Sequence, residues 1–233
     1  MSKVSTKNEL FPVFIKLSEI NSLLVGGGNV AFEKLRAILS NAPEAKITIV
    51  APSVKPEITE LIRDHPGCII QKRRFEPGDS NEKHLIFLAT DDPDLHRSIK
   101  QLAADKNILV NTADEPSLCD FYLSSIVQKG HLKIAISTNG MSPTLAKRIK
   151  EMFNEVLPDD MNTLLQNLNQ IRSGLKGDFE YKTKVLNQIT SSMMPGKKQY
   201  LLKRLNLKNY VSIFILVAIG FVLGILFKLF LFS

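Results

Sequence analysis

The chain has 233 residues, 44% of them apolar, enough to bury a real core in one domain or two small ones. Its net charge of +7 belongs to the end of the chain: from Pro195 onward there are six Lys or Arg and no acid, which leaves 24 basic against 23 acidic groups before it. That balance argues against a nucleic-acid-binding domain, whose basic footprint lies on the folded part, and Cys68 and Cys119, far apart with no C-x-x-C, read as buried thiols of a reduced compartment.

Met1 to Glu9 is polar, and the apolar stretch after it is broken by Pro12 and Lys16, so no signal-peptide pattern opens the chain and the body is expected in the cytoplasm. Six apolar runs of strand length follow: "SLLVGG" (22–27), "KITIVA" (46–51), "CIIQKR" (68–73), "HLIFLAT" (84–90), "NILVNT" (107–112) and "LKIAIS" (132–137). They alternate with segments of helical period, which predicts an α/β fold, a parallel sheet wrapped by helices. Ser53, Asp92 with Pro93, and Ser142 with Pro143 mark three helix starts. After Pro158 the strand-like runs stop, and residues 159–192 are polar with Leu, Ile and Val at helical intervals, a small helical module for packing or dimerisation.

Between the first run and the first helix lies Gly26-Gly27-Gly28-Asn29-Val30-Ala31, which fits G-x-G-x-x-[GA] in the strand-then-helix setting that pattern requires. Gly26 permits the tight turn, Gly28 lets backbone approach a pyrophosphate, and Ala31 allows the helix to sit close to the sheet. This is a dinucleotide-binding reading; a glycine turn without a ligand is the alternative. The second strand ends in Ala51-Pro52-Ser53 with no acid for the ribose hydroxyls, so the usual warrant for choosing NAD over NADP is absent, and Pro52 and Ser53 pass near the adenosine ribose.

Other pieces gather at the same predicted edge. The fourth strand delivers Thr90, Asp91 and Asp92; a helix cap accounts for Asp92, while Asp91 stays open. The fifth ends in "VNTADEP", whose Asp114 is either a solvated loop carboxylate or a proton acceptor for an oxidation. Ser137, Thr138, Asn139 and Gly140 precede a capped helix, either a second anion cradle or a plain turn. Lys34, Arg36, Lys147 and Arg148 are cations that an anionic substrate could use, though a solvated helix face explains each equally well. His65, His84, His96 and His131 are scattered without metal-ligand spacing and read as surface or capping residues; no metal site is expected.

The end of the chain reads differently. Val211 to Phe227 carries no charge and "LFLFS" follows Lys228, the pattern of a transmembrane helix with Tyr210 at an interface and a basic run before it facing the cytoplasm. Gly220 and Gly224 make a G-x-x-x-G that could pack two such helices. The expected organisation is a Rossmann-type NAD-binding domain over 1–142, a helical dimerisation and substrate module over 143–192, a basic linker over 193–209 and a membrane span over 210–232. The protein would then sit at the cytoplasmic face of the inner membrane on a single-pass C-terminal anchor.

In order and spacing, "FPVFIKL", "LLVGGGNVA", "KLRAIL", "TIVAP", "ATDDPDLH", "VNTADEP" and "ISTNGMSPTLAKRIKE" resemble the precorrin-2 dehydrogenases, including the amino-terminal half of bifunctional siroheme synthases, over roughly residues 10–190. The resemblance implies NAD-dependent oxidation of precorrin-2 to sirohydrochlorin and, in many members, insertion of ferrous iron as a further substrate to give sirohaem. By matched position it implies cofactor contacts from Asn29, Val30, Pro52 and Ser53, which join Gly26 and Gly28 of the glycine motif and Thr90 and Asp91 of the fourth strand end as the expected cofactor-binding residues. Asp114 falls on the family's catalytic aspartate, and Thr138 takes the place of a serine found in some members beside the tetrapyrrole; Ser137, Asn139, Ser142 and Arg148 are expected to bind the substrate with it. A homodimer is also implied. The chain departs from the fused enzymes in showing no methyltransferase region, and the apolar tail is outside the family's plan. The competing class is a membrane-tethered, nucleotide-sensing Rossmann module without catalysis, which would need the glycine loop but neither the Asp114 loop nor the 137–143 segment.

Overall fold

A computed structural model describes residues 8–113 and 115–191 of the chain. Five strands, β1 (Asn21–Val25), β2 (Lys46–Val50), β3 (Cys68–Gln71), β4 (Leu85–Leu88) and β5 (Leu109–Thr112), form one parallel sheet in the order β3-β2-β1-β4-β5. This is the Rossmann-type α/β arrangement that the apolar runs predict. Leu23 and Leu24 are completely buried although neighbours in sequence, because successive side chains leave a strand on opposite faces and both faces are covered.

The two faces have separate cores. Leu24, Ile47, Ile49, Leu85 and Phe87 pack with Ala31, Leu35, Ile38 and Leu39 of α1 (Asn29–Asn41) and Ile58 of α2 (Pro56–Leu61). The α1 residues recur at the spacing that puts them on one helical stripe. Leu23, Val25, Val50, Ile86, Leu88 and Val110 pack with Ile99 and Ala103 of α3 (Pro93–Asp105). Phe121, beyond β5, closes the first core edge-on against Phe87, ring centroids 5.5 Å apart. Between β1 and β4 the strand order reverses, which opens a crevice at the C-terminal edge of the sheet.

The sixth apolar run does not join this sheet. It forms β7 (Leu132–Ile136) and pairs antiparallel with β6 (Ser125–Lys129), a strand the sequence reading passes over. The register brings Lys129 opposite Leu132, so Gly130 and His131 make a two-residue turn, with Gly130 at φ +58°. Glycine in such a short loop is a hairpin signal, and a hairpin cannot supply parallel strands. Against β6 and β7 packs α4 (Pro143–Val156), capped by Ser142, whose Oγ accepts from the Leu145 N–H at 3.2 Å. The chain divides into compact units at Met161, so α4 is grouped with the sheet rather than with the helices that follow. The second unit holds α5 (Met161–Gly174) and α6 (Phe179–Thr190), the latter capped by Asp178.

One further expectation is corrected, and another lies outside what the structure describes. Helix α2 starts at Pro56 after Lys55, not at Ser53; proline favours the first helical position, and the Ser53 backbone is engaged against the glycine loop. The span over 210–232 and its G-x-x-x-G lie outside the described residues, and among the described residues no helix is long and apolar enough to cross a membrane.

Beyond β3, the Arg73 guanidinium grips both oxygens of Asp79, at 2.5 and 2.8 Å, and the Glu76 N–H donates to the same carboxylate at 2.9 Å. The Arg73 contact, assisted by that backbone N–H, holds the Asp79 carboxyl below the usual carboxylate range. A depressed folded-state pKa contributes stability above the ordinary carboxylate pKa of about 4 and loses it as pH falls through the lower folded value. In urea titrations, Asp79→Asn is expected to be less stable than the unaltered chain at pH 7. The difference should close as pH drops below about 4.

Candidate functional site

The loop between β1 and α1 is shaped from behind by neighbouring backbone. Gly26 has φ +125°, and a Cβ there would lie 2.3 Å from the Ala89 carbonyl oxygen after β4. A Cβ on Gly27 would lie 2.1 Å from the Ser53 carbonyl oxygen after β2. At Gly28 a Cβ would meet nothing within 4 Å, so that residue faces open space. Gly28 is the N-cap of α1 without a side-chain cap, and the first turn carries no acid. The backbone N–H groups of that turn and the positive end of a 13-residue helix thus meet an uncrowded face, the condition for receiving a phosphate. Ala31, completely buried, lets the helix approach the sheet.

Lys55 secures the outer side of the loop. Its N–H donates to the Gly27 oxygen at 3.0 Å, and its Nζ donates to Asn29 Oδ1 at 2.7 Å and pairs with Glu57 at 3.0 Å. Glu57's own backbone N–H, and next the Lys55 ammonium, hold that carboxyl below its ordinary value. Val30, Pro52 and Ser53 are exposed beside the loop. After β4, Thr90 is half-buried with Oγ1 2.8 Å from Nε2 of His96, Asp91 is exposed, and Asp92 caps α3 by accepting from the Leu95 N–H at 3.0 Å. His96 is buried beneath the strand end rather than on the surface.

At the end of β5 the polar groups interlock. Asn111, buried, accepts from Lys34 Nζ at 2.5 Å and donates from Nδ2 to the Phe121 carbonyl at 2.9 Å. Thr112 donates its N–H to Cys119 Sγ at 3.2 Å and its hydroxyl to the Glu115 carbonyl at 2.7 Å. Asp120 accepts from the Val110 N–H at 2.9 Å and from Lys100 at 2.5 Å. Asp114 lies outside the described residues; its neighbours on either side belong to this tied turn.

The glycine loop, Pro52 and Ser53, Thr90 and Asp91, and the residues flanking Asp114 all follow the C-terminal ends of parallel strands, and the sheet brings them to one edge. Ser137, Thr138, Asn139 and Ser142 follow the separate hairpin instead. They form a self-contained turn: Thr138 Oγ1 accepts from the Ser142 N–H at 3.2 Å, Ser137 Oγ accepts from the Asn139 N–H at 3.2 Å, and Asn139 has φ +53°. Arg148 is exposed and pairs with Glu151 at 2.8 Å. Among the described residues no group of three or more His, Cys, Asp or Glu could hold a metal ion. Sequence reasoning gave no site role to Gly27, Lys55, Asn111 or Cys119. The third glycine of the run was a signal for Gly27; nothing in the spacing announces the others.

A family model described as NAD(P)-binding matches residues 13–125, and one described as sirohaem biosynthesis protein, central, matches residues 129–154. Residues 13–125 and 129–154 are thus similar to NAD(P)-binding and sirohaem-biosynthesis proteins in turn. The siroheme synthase of Pseudoalteromonas atlantica is 35% identical over 176 residues, 76% of this chain and 37% of that protein. That of Thioalkalivibrio sulfidiphilus is 35% identical over 150 residues, 64% of this chain and 30% of that protein. The chain thus spans about a third of the length of these relatives. A solved structure titled SirC, precorrin-2 dehydrogenase, superposes with a TM-score of 0.61 at 25% identity, covering 84% of this chain and 99% of that one. These matches run through the sheet and hairpin, and the placement on a membrane anchor at the inner membrane is withdrawn with them.

The two crowded glycines and the open one behave differently under substitution. Gly27→Ala is expected to lower stability by about 1–3 kcal/mol, because the methyl displaces the Ser53 backbone. Gly28→Ala is expected to melt like the unaltered chain yet bind NAD about tenfold more weakly, since its methyl occupies the phosphate approach. Thermal melts and calorimetric titration with NAD separate the two effects.

Proposed function

We propose that this chain oxidises precorrin-2 to sirohydrochlorin with NAD as acceptor, a step of sirohaem synthesis. The observation that carries the reading is the open face at Gly28, at the N-terminus of α1 and on the same sheet edge as the β5 loop. The family match and the likeness to a precorrin-2 dehydrogenase support the substrate and the acceptor.

In this reading Gly26, Gly28, Asn29 and Val30 receive the diphosphate, with Gly26 setting the turn and Gly28 admitting the phosphates. Pro52 and Ser53 flank the adenosine ribose, and Thr90 and Asp91 border the nicotinamide half. NAD, when bound, supplies an acceptor for the hydride. The oxidation also releases a proton, and Asp114 takes it directly or through one water. The Thr112 hydroxyl donates to the Glu115 carbonyl, tying together residues on either side of position 114 in the sequence. Ser137, Thr138, Asn139, Ser142 and Arg148 are assigned to the tetrapyrrole, whose carboxylates suit backbone donors at the start of α4 and a guanidinium. A homodimer through residues 143–192 completes the reading, supported by Met152 and Val156, exposed on α4, and by Phe179 and Ile189, exposed on α6.

The test supplies the chain with precorrin-2 and NAD and follows sirohydrochlorin by its absorbance. Turnover that falls at least about a hundredfold in Asp114→Asn, with NAD binding retained, is the expected result. NAD binding without turnover would overturn the enzyme in favour of a nucleotide sensor. The same reaction with ferrous iron added reads out chelation from the appearance of sirohaem. Light scattering should return twice the 26.1 kDa chain mass.

A further inference from the structure

We infer that Lys34, aimed by Asn111, holds a carboxylate of the macrocyclic substrate at the catalytic edge. The inference rests on the dehydrogenase reading and names a contact that reading leaves unassigned. Lys34 lies on α1 between the buried Ala31 and Ile38 and is itself half-buried. Side chains on a helix lean toward its N-terminus, so the ammonium reaches back toward the C-terminal edge of the sheet. It meets Asn111 Oδ1 at 2.5 Å, one residue before the end of β5.

Asn111 has no freedom to present its other face. Its Nδ2 donates to the Phe121 carbonyl at 2.9 Å, and the Phe121 ring is seated on Phe87 in the core, so the amide oxygen must point to Lys34. The helix and the strand end thus fix the cation between the glycine loop and the β5 turn, on the opposite side of β1 from Pro52 and Ser53. The other cations available to an anionic substrate are disposed differently. Arg36 stacks over the Phe32 ring at 5.5 Å, and Lys147 and Arg148 are exposed on α4, which follows the separate hairpin. A positioned ammonium at the site of a polycarboxylate's oxidation matches a carboxylate, and charge-assisted hydrogen bonds of this kind are among the stronger ones.

The experiment measures steady-state kinetics of the full chain with precorrin-2 and NAD, together with equilibrium binding of sirohydrochlorin by fluorescence. Lys34→Met should raise KM for precorrin-2 about tenfold, with the larger share of the loss in KM rather than kcat, and weaken sirohydrochlorin binding by a similar factor. NAD affinity should stay within about twofold, and Lys34→Arg should recover part of the loss. Asn111→Leu should reproduce the effect and add nothing to Lys34→Met in the double variant. An unchanged KM and sirohydrochlorin affinity in Lys34→Met would overturn the assignment. So would a shift of the acid limb of the kcat/KM profile with KM unchanged, which would give the lysine to the proton acceptor. Absence of turnover in the unaltered chain sinks the dehydrogenase reading instead, and the fluorescence arm still decides the contact.

Discussion

Two carbonyl oxygens govern the site. Those of Ala89 and Ser53 press on the first two glycines so closely that no side chain fits at either position. One belongs to the exit of β4 and the other to the exit of β2, the two strands that flank β1. The glycine loop is therefore clasped from both sides, and its path is set by the sheet rather than by a ligand. The direction of α1 follows, because the helix starts at the residue after Gly28 and is held down by Ala31, Leu35 and Ile38. With the back of the loop filled by protein, its one uncrowded face is the outward one at Gly28.

Much of this architecture could be read from residue order alone, for a definite reason. Strands buried on both faces need unbroken apolar runs, and five of the six runs singled out are the strands of the parallel sheet. The failures are as physical. In β6 only Val127 is fully buried, so no apolar run marks it, and Gly130 by itself does not distinguish a hairpin turn from any other loop. Ser53 is a good capping residue by type, yet its carbonyl lies close against Gly27 and Pro56 starts the helix.

The site was readable where its chemistry is local. Glycines within three residues of one another, or a cap and its proline, announce themselves. Contacts between distant positions do not: Lys34 and Asn111 are 77 residues apart, and Lys55 and Asn29 are 26 apart. Spacing carries no trace of such pairs, because the sheet order that unites them is a property of the fold. His96 makes the same point, since its partner Thr90 is close in sequence but only the burial of α3 turns the pair inward.

The end of β5 bears on the choice between a sensor and an enzyme. A cradle for a dinucleotide serves both equally, and nothing about Gly28 discriminates. Asn111 and Thr112 are buried in a strand where apolar side chains would pack without needing partners. Buried amides and hydroxyls contribute little net stability even when satisfied and are costly when they are not. Here they are satisfied by Lys34, Phe121, Cys119 and Glu115, which come from α1 and from the segment after β5. Such a network adds definition rather than strength: it fixes an ammonium and a turn relative to the glycine loop. A nucleotide sensor gains nothing from that precision on the far side of the switch point, whereas a hydride transfer depends on where the second reactant is held.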